Sequence, residues 1–470
     1  MIVMKFGGTS TRDAEAIGNV VRIVKDRLDR KPVVVISAIA QATNMLEQAG
    51  RLAGEGKSGE ARDTLLKLFE RHYEITDTLI KDRQRHRDLR NVIGASLREL
   101  EELMRGVVIL RELTARALAT ICSYGELLSS HVVAVALEEY GVPSQWLDTK
   151  DFMVTDDKHN SASPAMDMIM ARLPEIVAPL MERGVVPVTQ GFIGVTRSGH
   201  RTTMGRESSD YSASIIGSVL DVEDVQIWTD VDGILTADPR IVASPRKVRS
   251  LSFEEAFDLS YFGAKVLHPK TVLPALERNI PIHVYNSRRA NLSGTLITAK
   301  NPSDAPCVKS VAYKRDMTLL TVTPKNRYGP YIFWGHVHNI LTEAGALAYL
   351  TVSSDYGLSL VLDSSSDLTI ITQGLKEIGS LAVEGGKGIV CLVGTNIRAV
   401  PRLVERVFRS ISDCPVAMIS FGASRTNLCV VIDDDAIPEA VTSLHGEFFD
   451  DASEDVFEVL EHFQAPAQPG

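Results

Sequence analysis

The sequence predicts an α/β fold of three layers, a mainly parallel sheet covered by helices on both faces, joined to a smaller α+β region. Three observations predict it. Up to about residue 300, strand-like apolar runs alternate with helical stretches, which implies crossover connections between parallel strands. Beyond that point the order becomes strand, loop, helix, strand, short turn, strand, and this order occurs twice. The chain has 470 residues, more than one core usually organises, and a prior of roughly 150 residues per domain gives about three units.

The strands of the first region read IVMKF (2–6), VVVISAIA (33–40), SQWLDT (144–149), VVPVTQGFIG (185–194), DVQIWTDVDG (224–233) and IPIHVY (280–285). Between the second and third lies a helical insert whose clearest part, 60–104, spaces its apolar residues three and four apart, with its charges on a solvated face. Around NPSDAPC (301–307) proline, serine and asparagine accumulate and periodicity stops, so 1–300 is read as one domain and 301–312 as a linker. The repeats come next. TLLTVTP (318–324), FWGHVHNILTEAG (333–345) and ALAYLTVSSDYGLSLVLD (346–363) fall in a first copy over 313–385. IVCLVGT (389–395), RLVERVFRSI (402–411) and PVAMISFGASRTNLCVVID (415–433) fall in a second over 386–465, with interleaving of the two an allowed arrangement. A βαββ unit of this size cannot bury both faces of its sheet alone, so each copy is expected to pair with the other or with a second subunit.

Composition excludes several functions. With 44% apolar and 23% charged residues the chain is ordinary globular protein, and a net charge of −10 without a long basic run argues against nucleic acid or an anionic membrane as partner. No apolar stretch is expected to reach the length of a membrane span. Five scattered cysteines with no CxxC pair argue against a disulfide framework or structural zinc. Together with an N-terminus that enters a strand directly, this reads as a cytoplasmic protein with reduced thiols.

GRLAGEGKS (50–58) is similar to a phosphate loop but has five residues between Gly50 and Gly56 where that motif needs four, and it comes after helical sequence. No GxGxxG follows a strand. KFGGTS (5–10) meets the demand differently: Lys5 sits where a parallel strand exits, and Gly7 and Gly8 let the backbone turn and approach an anion. Ser10 or Thr11 is expected to cap the next helix. A plain strand-to-helix turn with a surface lysine explains this stretch equally well by itself.

Other stretches decide. KFGGTS, VVVISAIAQATN (33–44), SYGELLSS (123–130), QGFIGVTRSGHRTTMGRESSDYSA (190–213), WTDVDGILTADPR (228–240) and YFGAKVLHP (261–269) occur in this order. The set closely resembles the aspartate kinases of the amino-acid kinase family, and the two C-terminal repeats resemble their tandem ACT regulatory domains, ferredoxin-like βαββ units. The resemblance covers nearly the whole chain. It implies ATP-dependent phosphorylation of the β-carboxylate of L-aspartate to 4-phospho-L-aspartate, the entry to lysine, threonine and methionine synthesis. A carboxylate nucleophile is already ionised at neutral pH, so the site needs cations more than bases.

By this resemblance Lys5 contacts the phosphates and stabilises the transition state, Lys265 is a second lysine beside the nucleotide with Val266 next to it, and Gly7 and Gly8 border the ATP. Thr229, Asp230 and Arg240 lie around the nucleotide. Arg206 forks onto the substrate α-carboxylate, Glu126 accepts from its ammonium, and Thr43 and Ser209 offer hydroxyls. Asp210 organises lysine and substrate without abstracting a proton. Mg²⁺ is implied as the counter-ion of ATP, held by phosphates and water with no protein ligand, because the ion dehydrates reluctantly.

Three departures from the family pattern stand out. GRESSD replaces the usual GRGGSD, so Glu207 and Ser208 stand where glycines have easy access to positive φ. Leu235 stands where many relatives have tyrosine. The stretch KNRYGPYIFWGHVHN (325–339) is aromatic and basic, and Tyr349 stands where some relatives have aspartate. An amino-acid effector, lysine or threonine, is implied by the ACT pair, with Ser354 and Asp355 as candidate contacts and a homodimer as the expected assembly. No homoserine dehydrogenase extension succeeds the repeats, so the chain reads as monofunctional. A glutamate-type kinase of the same family, or an amino-acid sensor that keeps the fold without catalysis, are the competing readings.

Overall fold

The computed structural model describes residues 1–205, 207–264, 269–299, 301, 305–325, 329–354, 357–450 and 453–460. The chain divides into two compact units, residues 1–234 with 266–300, and residues 235–265 with 301–470.

In the first unit the sheet runs, in spatial order, through Thr295–Thr298, Ile282–Asn286, Asp224–Thr229, Ile2–Phe6, Pro32–Ile36, Val186–Gln190 and Ser144–Trp146. Every neighbouring pair of these is parallel except Ile282–Asn286 with Thr295–Thr298. Ile2–Phe6 lies in the middle, and all five of its residues are buried, which is why its apolar run does not alternate. The register sets Phe6 opposite both Ile36 and Trp228, Ile36 opposite Gln190, and Asn286 opposite Thr229. The residues just past these strands, Gly7, Ser37, Gly191, Asp230 and Ser287, therefore share one edge of the sheet. In open α/β sheets, ligands bind outside this carboxyl edge.

The helical insert forms Ala42–Gly54, Ser58–Leu79 and Arg83–Leu110, and Ala115–Glu139 comes after it. The predicted stretch 60–104 is thus two helices, because Asp82 accepts hydrogen bonds from Gln84 and Arg85 and starts a new one. Their buried faces carry Leu65, Leu68 and Phe69, and Leu89, Ile93 and Leu100. Ala115–Glu139 corrects one expectation. This 25-residue helix contains an 18-residue stretch of mean hydropathy 1.3 and is long and apolar enough to cross a membrane, yet 72% of that stretch is buried against the rest of the protein, as befits a core helix.

The second unit holds an antiparallel sheet in the order Ala348–Ser354, Gly357–Asp363, Cys307–Pro324, Gly379–Thr395, Asn427–Asp433, Met418–Phe421. Two of its strands serve both repeats. The far half of Cys307–Pro324 pairs with Gly357–Asp363 and with Gly379–Glu384, whereas its near half pairs with Lys387–Thr395. The first repeat is therefore a closed βαββαβ lobe with the helices Pro330–Glu343 and Leu368–Ile378 over Leu320, Val322, Leu360 and Leu362. The second, with helices Leu403–Ser410 and Ile437–Phe449, borrows its last strand from before the first. Half of the expected linker, 307–312, is strand. Its proline-rich opening hides a continuously buried run, 308–312, that includes the polar Lys309 and Ser310.

The helix Phe253–Tyr261 belongs to this unit, and Glu255 anchors it. The Glu255 carboxylate closes a capping box with Ser252, accepts from the Lys309 ammonium at 3.0 Å and from the Thr395 hydroxyl at 2.7 Å, and is fully buried. Lys309 is 3% exposed. Removing one member of such a pair leaves an uncompensated buried charge, so Lys309→Met is expected to destabilise the protein by roughly 3–5 kcal/mol, and Glu255→Gln added to it to recover part of the loss. Urea unfolding of the single and double variants measures both.

Candidate active site

Lys5 leaves the central strand 9% exposed, and its ammonium lies 2.5 Å from the Asp210 carboxylate. Asp210 is in the first turn of the helix Ser209–Leu220, where the helix dipole favours an anion. That helix can start so close to the sheet edge because Gly191 has no side chain: a Cβ there would stand 2.5 Å from the Cβ of Ser209. The Phe192 amide then donates to the Ser212 hydroxyl at 2.9 Å and fixes the helix to the strand exit. Gly7 lies beside the same ammonium, 3.5 Å from Lys5 Nζ to the position a Cβ would take.

Glu126 enters from the other side. It lies inside Ala115–Glu139 and is 3% exposed. Gly125 brings that helix against the end of the second strand, since a Cβ there would meet the Ala38 Cβ at 2.9 Å, and the Ser129 hydroxyl donates to the Ser37 carbonyl at 2.8 Å. The Ala38 amide donates to the Glu126 carboxylate, but Glu126 Oε2 has no partner among the described residues. Burial pushes the Glu126 pKa up to about 8, opposed by the Ala38 hydrogen bond and by the field of the Lys5 ammonium. A buried carboxylate with a vacant acceptor, within the field of a lysine, is suited to receive a cationic group.

Gly8 presses on the same strand ends, accepting from the Ala40 amide at 3.0 Å, and a Cβ at this position would stand 2.8 Å from the Ala38 carbonyl. Thr43 is half-buried in the first turn of Ala42–Gly54, five residues after Ala38. Ser209 is buried next to Asp210. Thr229 donates to Asp230 at 3.3 Å at the end of Asp224–Thr229. Arg240 is in the second unit, where Asp238 takes its guanidinium at 2.5 Å and Tyr313 lies at 3.3 Å. Arg206, Lys265, Val266 and Asp355 lie outside the described residues.

Two local expectations are corrected. Asp13, not Ser10 or Thr11, caps the helix Ala14–Lys25, accepting from Ala16 at 2.8 Å. Ser10 instead ties strand ends together, bonding to Ser287 at 2.8 Å and to the Trp228 carbonyl at 3.2 Å. The Gly7 amide, expected to face an anion, donates to the Trp228 carbonyl at 3.0 Å. Sequence reasoning also missed the buried Asp232, which accepts from Asn286 at 2.7 Å and pairs with Arg289, holding the 230–233 turn to the neighbouring strand. Its signal was present in DVDG, a second acid before a glycine after a strand.

The sequence pattern of the Amino acid kinase family matches residues 1–286, and that of the ACT domain matches residues 390–448. Lysine-sensitive aspartokinase 3 of Escherichia coli (strain K12) is 33% identical over 469 residues, covering 96% of this chain and 99% of that protein. Aspartokinase 3, chloroplastic, of Arabidopsis thaliana is 33% identical over 466 residues, covering 95% of this chain and 81% of that protein. The crystal structure of E. coli aspartokinase III in complex with aspartate and ADP (R-state) superposes with a TM-score of 0.86 at 30% identity, covering 96% of this chain and 100% of that one. Its complex with lysine and aspartate (T-state) gives 0.76 at 31% identity over the same shares. The chain belongs to the aspartokinases of the amino acid kinase family.

Among aspartokinases the GRESSD departure can now be placed. Glu207 has a φ of 61° between Gly205 at 96° and the start of the helix, so it occupies the left-handed region that a glycine adopts freely. Its side chain is exposed. The carboxylate is directed to solvent, and the backbone bears the strain. Glu207→Gly is expected to keep kcat/KM within about twofold of the parent and to stabilise the protein by roughly 1 kcal/mol, the cost of holding a side chain in this region. Steady-state rates and thermal melts of the two proteins decide it, and a collapse of turnover would reveal a role for the carboxylate.

Proposed function

We propose that this chain catalyses the ATP-dependent phosphorylation of the β-carboxylate of L-aspartate, giving 4-phospho-L-aspartate and ADP, as the first step toward lysine, threonine and methionine. The family and the aspartate and ADP complex of the E. coli relative support the reaction. The observation in this chain that carries it is Glu126, buried, with an unpartnered oxygen and within the field of Lys5. An α-amino acid brings an ammonium that such a carboxylate lacks, and a γ-phosphoryl brings the negative charge that a lysine offsets.

Charge sets the roles. The β-carboxylate of aspartate attacks the γ-phosphorus, and ADP leaves with the bond electrons. No proton has to be removed from the nucleophile, so the protein's work is positioning and charge compensation. Lys5 stabilises the charge spreading over the transferred group. Asp210 holds the lysine in place. Glu126 takes the substrate ammonium, Arg206 its α-carboxylate, and Thr43 and Ser209 complete the pocket. Gly7, Gly8, Thr229, Asp230, Arg240, Lys265 and Val266 serve the nucleotide. Mg²⁺ enters as the counter-ion of ATP, bound by phosphate oxygens and water.

The ACT repeats bind an amino-acid effector, with Ser354 and Asp355 as contacts; the T-state relative is a complex with lysine and aspartate. A homodimer assembled through these repeats, in a reducing cytoplasm that keeps all five cysteines free, is the working state. Saturating lysine and threonine, singly and together, are expected to lower initial rates or raise thermal stability.

ADP release with aspartate and with glutamate in parallel is expected to give turnover on aspartate alone. Lys5→Ala is expected to lower kcat by about a hundredfold or more, on the scale of losing one preorganised electrostatic group. The pH profile reports Glu126. The free enzyme must ionise this carboxyl to hold an ammonium, so kcat/KM for aspartate rises with pH and levels off above about 8, whereas Glu126→Gln is low and flat through that range. Stability moves the other way. A carboxyl whose pKa is raised on folding favours the folded state below its ordinary value and loses that contribution as pH rises toward 8, so Glu126→Gln melts higher than the parent at pH 8 and above.

A further inference from the structure

The segment 37–41 joins the strand Pro32–Ile36 to the helix Ala42–Gly54, and its polar backbone groups are tied one by one to other elements of the first unit. The Ser37 amide donates to the Phe6 carbonyl at 3.1 Å, and the Ser37 carbonyl accepts from the Ser129 hydroxyl at 2.8 Å. The Ala38 amide donates to the Glu126 carboxylate, and the Ala40 amide to the Gly8 carbonyl at 3.0 Å. Gln41 then takes a φ of 69°, a left-handed conformation that is costly for a residue with a side chain, just before the helix that carries Thr43. A segment strained at its end needs an anchor there.

Arg71 supplies it. Periodicity places this arginine among the charges of a solvated helix face, yet within Ser58–Leu79 it is half-buried: its Nη2 donates to the Ala40 carbonyl at 2.9 Å, and its Nη1 stands 3.8 Å from Met45 Sδ in the first turn of Ala42–Gly54. Burial lowers the Arg71 pKa, and only the more distant Glu74 opposes it, so the guanidinium gives up water without an ion pair among the described residues. What it gains is a charge-assisted hydrogen bond to the last turn of backbone before Thr43. The glycine turn on the other side is closed without its help, by the Ser10 amide to the Gly7 carbonyl at 2.9 Å and the Thr11 amide to the Gly8 carbonyl at 3.3 Å. Arg71 therefore bears on the amino-acid side of the site and not on the nucleotide side.

We propose that Arg71 is a positioning residue for aspartate binding: by holding the Ala40 carbonyl it fixes the 37–41 segment, which delivers the Ala38 amide to Glu126 and sets the start of the helix bearing Thr43. The inference rests on the reading that Glu126 takes the substrate ammonium, and the test separates the two. With the full-length enzyme, KM for aspartate and for MgATP and the pH profile of kcat/KM are measured in Arg71→Met, Arg71→Lys and Glu126→Gln, alongside thermal melts. Arg71→Met is expected to raise KM for aspartate about fivefold to thirtyfold, part of what one hydrogen bond from a charged group supplies, with KM for MgATP within about twofold. Arg71→Lys, which keeps a cation and a donor for a single carbonyl, is expected to fall between Arg71→Met and the parent. The groups acting on the Glu126 carboxylate are the Ala38 amide, its own amide and the Lys5 ammonium, all of which favour its ionised form. Loosening the Ala38 amide raises the Glu126 pKa further, so the rise of kcat/KM with pH moves to higher pH in Arg71→Met. The proposal is overturned if Glu126→Gln weakens aspartate while Arg71→Met does not, if the pH profile of Arg71→Met coincides with that of the parent, or if both KM values and the melting point shift together, as loss of packing alone does. If Glu126→Gln leaves KM for aspartate unchanged, the assignment of Glu126 fails and this inference with it.

Discussion

The interaction on which the site depends is the pairing of the Lys5 ammonium with the Asp210 carboxylate at the carboxyl edge of a parallel sheet. A lysine in the middle of a fully covered sheet is costly to bury, and the cost is met by an anion from a helix whose N-terminus points at the same place. Each neighbouring feature serves that approach. Gly191 lets the helix come close, Ser212 pins it to the strand exit, and Gly7 keeps the space next to the ammonium open. The pair is nearly buried without being closed, since each side chain retains 11% exposure. A lysine already directed by one carboxylate needs little reorganisation when the negative charge of a substrate arrives.

Glu126 represents the opposite choice. Its carboxylate is buried with one oxygen unpartnered among the described residues, so folding carries a penalty that ligand binding can relieve. A site built in this way discriminates well, because a ligand without an ammonium leaves the carboxyl either protonated or unpaired. The two acids differ by environment: Asp210 is paired with Lys5, and Glu126 keeps an oxygen without a partner among the described residues.

Much of this was legible in the sequence, and the rest was hidden for physical reasons. Continuous apolar runs such as IVMKF and DVQIW announced buried parallel strands, and the register of such strands brings their exits to one edge, so Lys5, Gly7 and Thr229 could be grouped. The ordered motifs located Glu126 and Asp210. The upward push that burial gives the Glu126 pKa was not legible, because it depends on Gly125 meeting Ala38 across a distance of many residues in the chain. Nor could the caps be assigned: Ser10, Thr11 and Asp13 are all competent, and only the geometry of the 8–10 turn leaves Asp13 at the helix start. The strain at Glu207 was visible as a missing glycine, but its sign needed the backbone angle.

The interleaved repeats add a constraint that periodicity alone conceals. Because Cys307–Pro324 and Gly379–Thr395 each contribute one half to either lobe, neither lobe can shift its strand register independently. The ladder between them is irregular between Lys314 and Met317, where Asp316 takes a φ of 57°, and there the strand passes from one lobe to the other. Lys314, which faces Tyr349, is the last residue paired before that break. The first lobe also touches this junction through side chains, because the Lys314 ammonium lies against Tyr349 and Asp363. The same junction lies next to Gly263, which passes closely over the Tyr313 carbonyl. Shared strands make the two repeats one continuous sheet, in which both lobes rest on the same two strands.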